Sequence, residues 1–133
     1  GKGSTFQRRL GDVFWNWGIP TAVSIAEIFQ TVNIPIIASG GVRKGVDVAK
    51  ALALGASLVS LSQPVLLAAN KGVEETEGVL SLLIEELRSS MFLVGVHSLQ
   101  ALSQTPLVVT GKTAEWLRIR GFNIEKYARR GRN

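Results

Sequence analysis

Two short apolar runs bracket a single helix-like repeat, and this constrains the fold more than any other feature. "NIPIIAS" (residues 33–39) and "SLVSLS" (residues 57–62) each read as a short, continuous strand of the buried parallel type. Between them "GVDVAKALALGA" places Val46, Ala49, Leu52 and Ala53 on one helical face, with Gly55 as its stop. A strand, a helix and a strand in that order form a parallel pair with a right-handed crossover. Two parallel strands cannot cover their own edges and faces. The chain therefore reads as a piece of a larger α/β fold.

The first run ends in Ser39-Gly40-Gly41 and leads through Val42 and Arg43 into the repeat. Glycines let anionic oxygens approach the backbone N–H groups, and the start of the helix near Val46 favours an anion. Arg43 adds a charged fork of donors suited to phosphate. The stretch lacks the G-K-[ST] of a Walker loop and the G-x-G-x-x-G of a dinucleotide site. The second run ends at Ser62-Gln63 before Pro64, also at a helix start, and can offer N–H groups to the same anion. The blander reading of Gly40–Gly41 is a tight turn and nothing more.

Elsewhere the pattern is helical. "GIPTAVSIAEIFQTV" puts Ala22, Ile25, Ile28 and Phe29 on one face, with Pro20 in its first turn. A helix is expected from about Glu77 to Phe92, with Leu80, Leu83, Ile84, Leu87 and Met91 at helical spacing and Gly95 as its end. "PLVVTG" reads as extended. "TAEWLRIRG" reads as a short helix with Thr113 as N-cap, Trp116 inward and Gly121 after its end.

The net charge of +5 is carried by the C-terminal end. Residues 1–111 hold eight Lys/Arg and eight Asp/Glu, whereas residues 112–133 hold seven basic and two acidic residues. That pattern suggests a solvated or frayed basic helix and tail, because a nucleic-acid surface interleaves basic with aromatic residues on a folded face. Cysteine is absent, which excludes disulfides and thiolate metal sites and fits either a cytoplasmic protein or a thermophile's avoidance of labile residues. No apolar run approaches the roughly 20 residues of a membrane span, and "GKGSTFQRRL" does not read as a secretory signal. His97 is the sole histidine, so no histidine-based metal site is expected. Glu74, Glu75, Glu77 and Glu85–Glu86 read as solvated faces, and Asp47 as a first-turn carboxylate that favours its helix. Trp15 and Trp17 read as packing anchors.

"WGIPTAVSIAEI", "IASGGVRKGVDVAKALALGASLV", "EELRSSMFLVGV" and "GKTAEWLRIRG" closely resemble the C-terminal part of type 2 isopentenyl diphosphate isomerases, a family of FMN-dependent (β/α)8 barrels. The resemblance runs from Trp15 to Arg130. It implies that residues 1–133 are the C-terminal portion of one TIM barrel, containing its strands 7 and 8, and not a complete barrel. It places the FMN phosphate on Gly40, Gly41, Val42, Arg43, Ser62 and Gln63. At Ser62–Gln63 the family usually has Ala and a small or apolar residue, a departure that backbone binding tolerates. "GKGSTF" is similar to a worn G-G-T-[SN]-[FW] loop of the family, with Ser4 in place of its threonine, although the interval before W-G-I-P-T is short here.

The resemblance implies a double-bond shift from isopentenyl diphosphate to dimethylallyl diphosphate, with reduced FMN as acid/base group. Mg²⁺ and NADPH are implied for the complete enzyme, with their sites and the catalytic residues outside this segment. The remainder of the barrel, or other subunits in a homo-oligomer, is the implied partner; nucleic acid and membrane are not. Two other readings remain. Another FMN barrel, such as a hydroxy-acid oxidase, would need a catalytic histidine near the strand ends. A non-enzymatic anion-binding module would rely on the basic end and leaves the glycine loop unexplained.

Overall fold

The computed structural model describes residues 4–131. Its elements in chain order are α1 (Thr5–Val13), α2 (Thr21–Thr31), β1 (Ile37–Ala38), α3 (Gly45–Leu54), β2 (Leu58–Val59), α4 (Gln63–Ala69), α5 (Val73–Leu93), α6 (Leu99–Leu102), α7 (Gly111–Ile119) and α8 (Glu125–Ala128). The fold is α/β, with one parallel pair and no closed barrel among the described residues.

Ile37 pairs with Leu58 and Ala38 with Val59. The Ser57 N–H donates to the Ile36 carbonyl at 2.8 Å, and the Ser60 N–H to the Ala38 carbonyl at 2.8 Å. The strands are shorter than the apolar runs, and they are not buried on both sides. Ala38 is buried, but its neighbour Ile37 is 64% exposed and Leu58 is 58% exposed. Successive strand residues face opposite sides, so helices cover the Ala38 face and nothing among the described residues covers the Ile37–Leu58 face.

Helix α3 organises the core. One side of it, Ala51 and Leu54, packs with Val23, Ile25 and Ala26 of α2, Ala114 and Leu117 of α7, and Tyr127 of α8. Its other side, Ala49 and Leu52, packs with Leu102 of α6 and against Leu87 and Met91 of α5. A helix wedged between two layers needs small residues on several faces, and the Ala/Leu alternation of "VAKALAL" supplies them. Of the expected inward residues, Ala49, Leu52 and Ala53 are buried and Val46 is 38% exposed. Gly55 closes the helix at φ 119°, as expected.

The other helices depart from the sequence reading in detail. On α2 the buried stripe is Val23, Ile25 and Ala26, whereas Ile28 and Phe29 are exposed. The stripe turns toward α7, to which α2 is also tied by a bidentate ion pair from Arg120 to Glu27 at 3.1 and 3.3 Å. Helix α5 begins at Val73, a turn before Glu77, and Gly95 ends it at φ 72° with the Val96 N–H on the Met91 carbonyl. Helix α7 starts at Gly111 with Thr110 at the N-cap, so Thr113 lies inside it. Ala114 and Leu117 are its buried residues, while Trp116 is partly exposed. Trp15 and Trp17 are both exposed, with Trp17 stacked edge-on against Phe14, and neither enters the core formed by the described residues.

The basic C-terminal end is folded through α8, contrary to the frayed reading. Tyr127 is buried and its hydroxyl donates to the Leu54 carbonyl at 3.0 Å. Arg130 donates to the Ala53 carbonyl and lies over the Tyr127 ring. A cation at the C-terminal carbonyls of α3 opposes the helix dipole favourably.

Candidate phosphate-binding site

The two strand ends lie side by side, because Ser60 is bonded to Ala38. The next residues are Ser39-Gly40-Gly41 on one chain segment and Leu61-Ser62-Gln63 on the other. Sequence-expected residues from two separate stretches are thus brought to the same end of the parallel pair.

Gly40 and Gly41 have φ of 94° and 71°, left-handed values that L-residues rarely adopt. No heavy atom lies within 4 Å of where a Cβ on Gly41 would stand, so open space borders the turn. The Thr21 hydroxyl, at the start of α2, donates to the Gly40 carbonyl at 2.8 Å. In a trans peptide the C=O and the following N–H point in opposite directions. Thr21 therefore fixes the Gly41 N–H away from α2. Among the described residues no hydrogen-bond acceptor engages the N–H groups of Gly41, Val42, Ser62 or Gln63. The Arg43 side chain is exposed and makes no ion pair among the described residues.

The beginning of α3 differs from the expected open helix end. Asp47 Oδ2 accepts the N–H groups of Arg43 at 3.2 Å and Lys44 at 3.1 Å. Glu86, from α5, accepts the Gly45 N–H. The backbone of Arg43 is thus already engaged, and its contribution to an anion is its guanidinium. Gly45 is required here because a Cβ would overlap the Leu83 carbonyl and the Leu87 nitrogen, so α3 rests directly on the α5 backbone.

Beneath the loop lies a cavity of about 250 Å³, bordered by Thr21, Gly40, Gly41, Val42 and Asp47 on one side and Ala51 and Leu54 on the other. The residues present fit a phosphate group: two free N–H donors on a turn with open space beside it, two more on the adjoining strand end, and one free guanidinium.

Thr21 and Glu86 were not singled out for the site by sequence. Thr21 had a signal, since it closes the W-G-I-P-T element; Glu86 had none, because its partner is 41 positions away. Ser4 is the N-cap of α1, its hydroxyl accepting the Gln7 N–H and its own N–H bonded to Gln7 Oε1. Gly1–Gly3 of the similar loop lie outside the described residues. His97 follows α5, in a groove with Arg88, Met91 and Phe92, and lines no part of the glycine-loop cavity. The described residues contain no cluster of three or more His, Asp or Glu arranged for a metal ion, and no helix among them is long and apolar enough to cross a membrane.

Comparison with known proteins places the chain in a family. The isopentenyl-diphosphate delta-isomerase of Methanothermobacter thermautotrophicus is 50% identical over 123 residues, which is 92% of this chain and 35% of that protein. The enzymes of the same name from Pyrococcus abyssi and Methanosarcina acetivorans are each 47% identical, across 92% and 90% of this chain and 33% and 32% of theirs. The chain thus spans about a third of the length of the curated relatives it matches. The family model for FMN-dependent dehydrogenases matches residues 17–109. That match takes in Thr21, both strand ends and the helix between them, and the chain belongs to the FMN-dependent dehydrogenase family.

Proposed function

We propose that this chain is the C-terminal segment of an FMN-dependent (β/α)8 barrel with isopentenyl-diphosphate isomerase activity, and that its glycine turn seats the FMN phosphate. The observation that carries this reading is the pair of unengaged N–H groups at Gly41 and Val42. They sit at the carboxyl end of a parallel strand, where (β/α)8 barrels hold phosphate after their last two strands. Gly40 shapes the turn and Thr21 aims it. Gly41 and Val42 donate to the phosphate oxygens, Arg43 adds a charged contact, and Ser62 and Gln63 donate from the neighbouring strand end.

When bound and reduced, FMN supplies the acid/base chemistry for moving the double bond of isopentenyl diphosphate. This segment holds one end of that cofactor and keeps it in register with the strands. In this reading the residues that act on the substrate, bind Mg²⁺ and meet NADPH belong to the rest of the barrel. The bare Ile37–Leu58 face is then the barrel interior, and the unpaired edges of β1 and β2 join further strands in a homo-oligomeric enzyme of the cytoplasm. The hydroxy-acid oxidase alternative is disfavoured by the position of His97, away from the strand ends.

Native mass spectrometry of the chain with FMN tests the reading. The expected result is FMN retained on an assembly that contains more than one polypeptide. A 14.3 kDa chain that never carries FMN, alone or assembled, contradicts it.

A further inference from the structure

The start of α3 is occupied by the chain's own carboxylates. Three consecutive N–H groups are engaged: Arg43 and Lys44 by Asp47, and Gly45 by Glu86. In dinucleotide-binding loops a pyrophosphate lies on the helix N-terminus and uses such groups. Here a second phosphate extending from Gly41–Val42 toward α3 meets three backbone N–H groups that are already engaged and the two carboxylates that engage them. The arrangement is built rather than incidental. Glu86 is half-buried and lies where the α3 backbone at Gly45 closely approaches the α5 backbone. Asp47 borders the cavity beneath the loop beside Gly41 and Val42.

We propose that Asp47 and Glu86 are specificity-determining residues that restrict the Gly40–Gly41 loop to a single phosphate monoester and turn away diphosphates. The proposal rests on the reading of this loop as the seat of the FMN phosphate. It has a consequence within that reading. The substrate of the isomerase is itself a diphosphate, and a loop open to diphosphates would be competed for by substrate. The two carboxylates keep the cofactor seat and the substrate seat chemically distinct. Arg43 and Lys44, the cations nearest the engaged N–H groups, remain available to the monoester.

The test is displacement of FMN, followed by its fluorescence, with inorganic phosphate and pyrophosphate as competitors. The double variant D47N/E86Q is compared with the wild-type chain, because each amide keeps an acceptor oxygen for the capped N–H groups, removes the charge and puts an NH2 donor in place of one carboxylate oxygen. In the wild type, pyrophosphate is expected to displace FMN no better than phosphate. In the variant, the preference is expected to move toward pyrophosphate by about tenfold. An FMN-binding variant with an unchanged ratio overturns the proposal and leaves the cofactor reading standing. Failure of the wild type to bind FMN sinks that reading instead; direct calorimetric titration of phosphate and pyrophosphate then decides the selectivity, an equal ratio in both proteins overturning it. If the double variant does not fold, D47N and E86Q singly are each expected to move the ratio part of the way, and no movement in either overturns the proposal.

Discussion

The Thr21 hydroxyl donates to the Gly40 carbonyl across 19 positions of sequence, at 2.8 Å. This bond ties the start of α2 to the turn after β1 and sets which way the next peptide N–H faces. Thr21→Val keeps the shape of the side chain and removes the donor. The Gly40–Gly41 peptide, with glycine on both sides, is then free to rotate. FMN affinity should fall about tenfold, while stability falls by only about 1 kcal/mol. Fluorescence titration and urea unfolding of the same sample measure the two effects separately.

The opposite end of α3 is held by Tyr127, whose hydroxyl donates to the Leu54 carbonyl. Tyr127→Phe keeps the ring in the core and leaves that carbonyl without its donor, a loss of about 1–2 kcal/mol in urea unfolding. Burial also pushes the Tyr127 hydroxyl above its ordinary pKa. The protonated form is favoured in the fold, so the native state binds more protons than the unfolded state once pH passes the unfolded tyrosine value of about 10. Stability should therefore be level below that pH and fall as pH rises through the raised folded value. Tyr127→Phe should lack this particular decline, which a comparison of unfolding curves at neutral pH and above pH 10 would reveal.

Ile37 and Leu58 are register partners and both are exposed on the uncovered face of the sheet. Apolar residues beside unpaired strand edges promote self-association. The isolated chain should form oligomers or aggregates on sedimentation. The double substitution Ile37→Thr and Leu58→Thr should shift it toward monomer without a loss of thermal stability, because both side chains are exposed and neither belongs to the core of the described residues. A wild-type chain that sediments as a clean monomer would contradict the open-face account.

The parts of the fold legible in sequence are those with local causes. The apolar period and Gly55 define α3, and the Gly40–Gly41 pair marks the turn that the structure puts at the strand end. Helix α1 carries a readable sign, since Ser4 and Gln7 form the S-x-x-Q capping box, but the likeness of "GKGSTF" to a family loop masks it. Helix α8 carried none. "EKYA" is a single turn without periodicity, and its stability comes from Tyr127 reaching Leu54, 73 positions away. The site divides the same way. The free N–H groups follow from glycine chemistry, whereas the closure of the α3 start by Glu86 depends on how α5 packs. Charges such as Glu86 look solvated in a helical pattern until the neighbouring helix is in place.

The most direct measurement compares FMN with riboflavin, which differ only in the phosphate. If Gly41, Val42 and Arg43 hold that group, the wild-type chain binds FMN at least about 100-fold more tightly than riboflavin, the equivalent of one or two charge-assisted hydrogen bonds. Gly41→Ala, which places a methyl group in the open space beside the donors at a left-handed φ of 71°, should reduce that preference to below about tenfold. Equal binding of FMN and riboflavin by the wild-type chain would contradict the account.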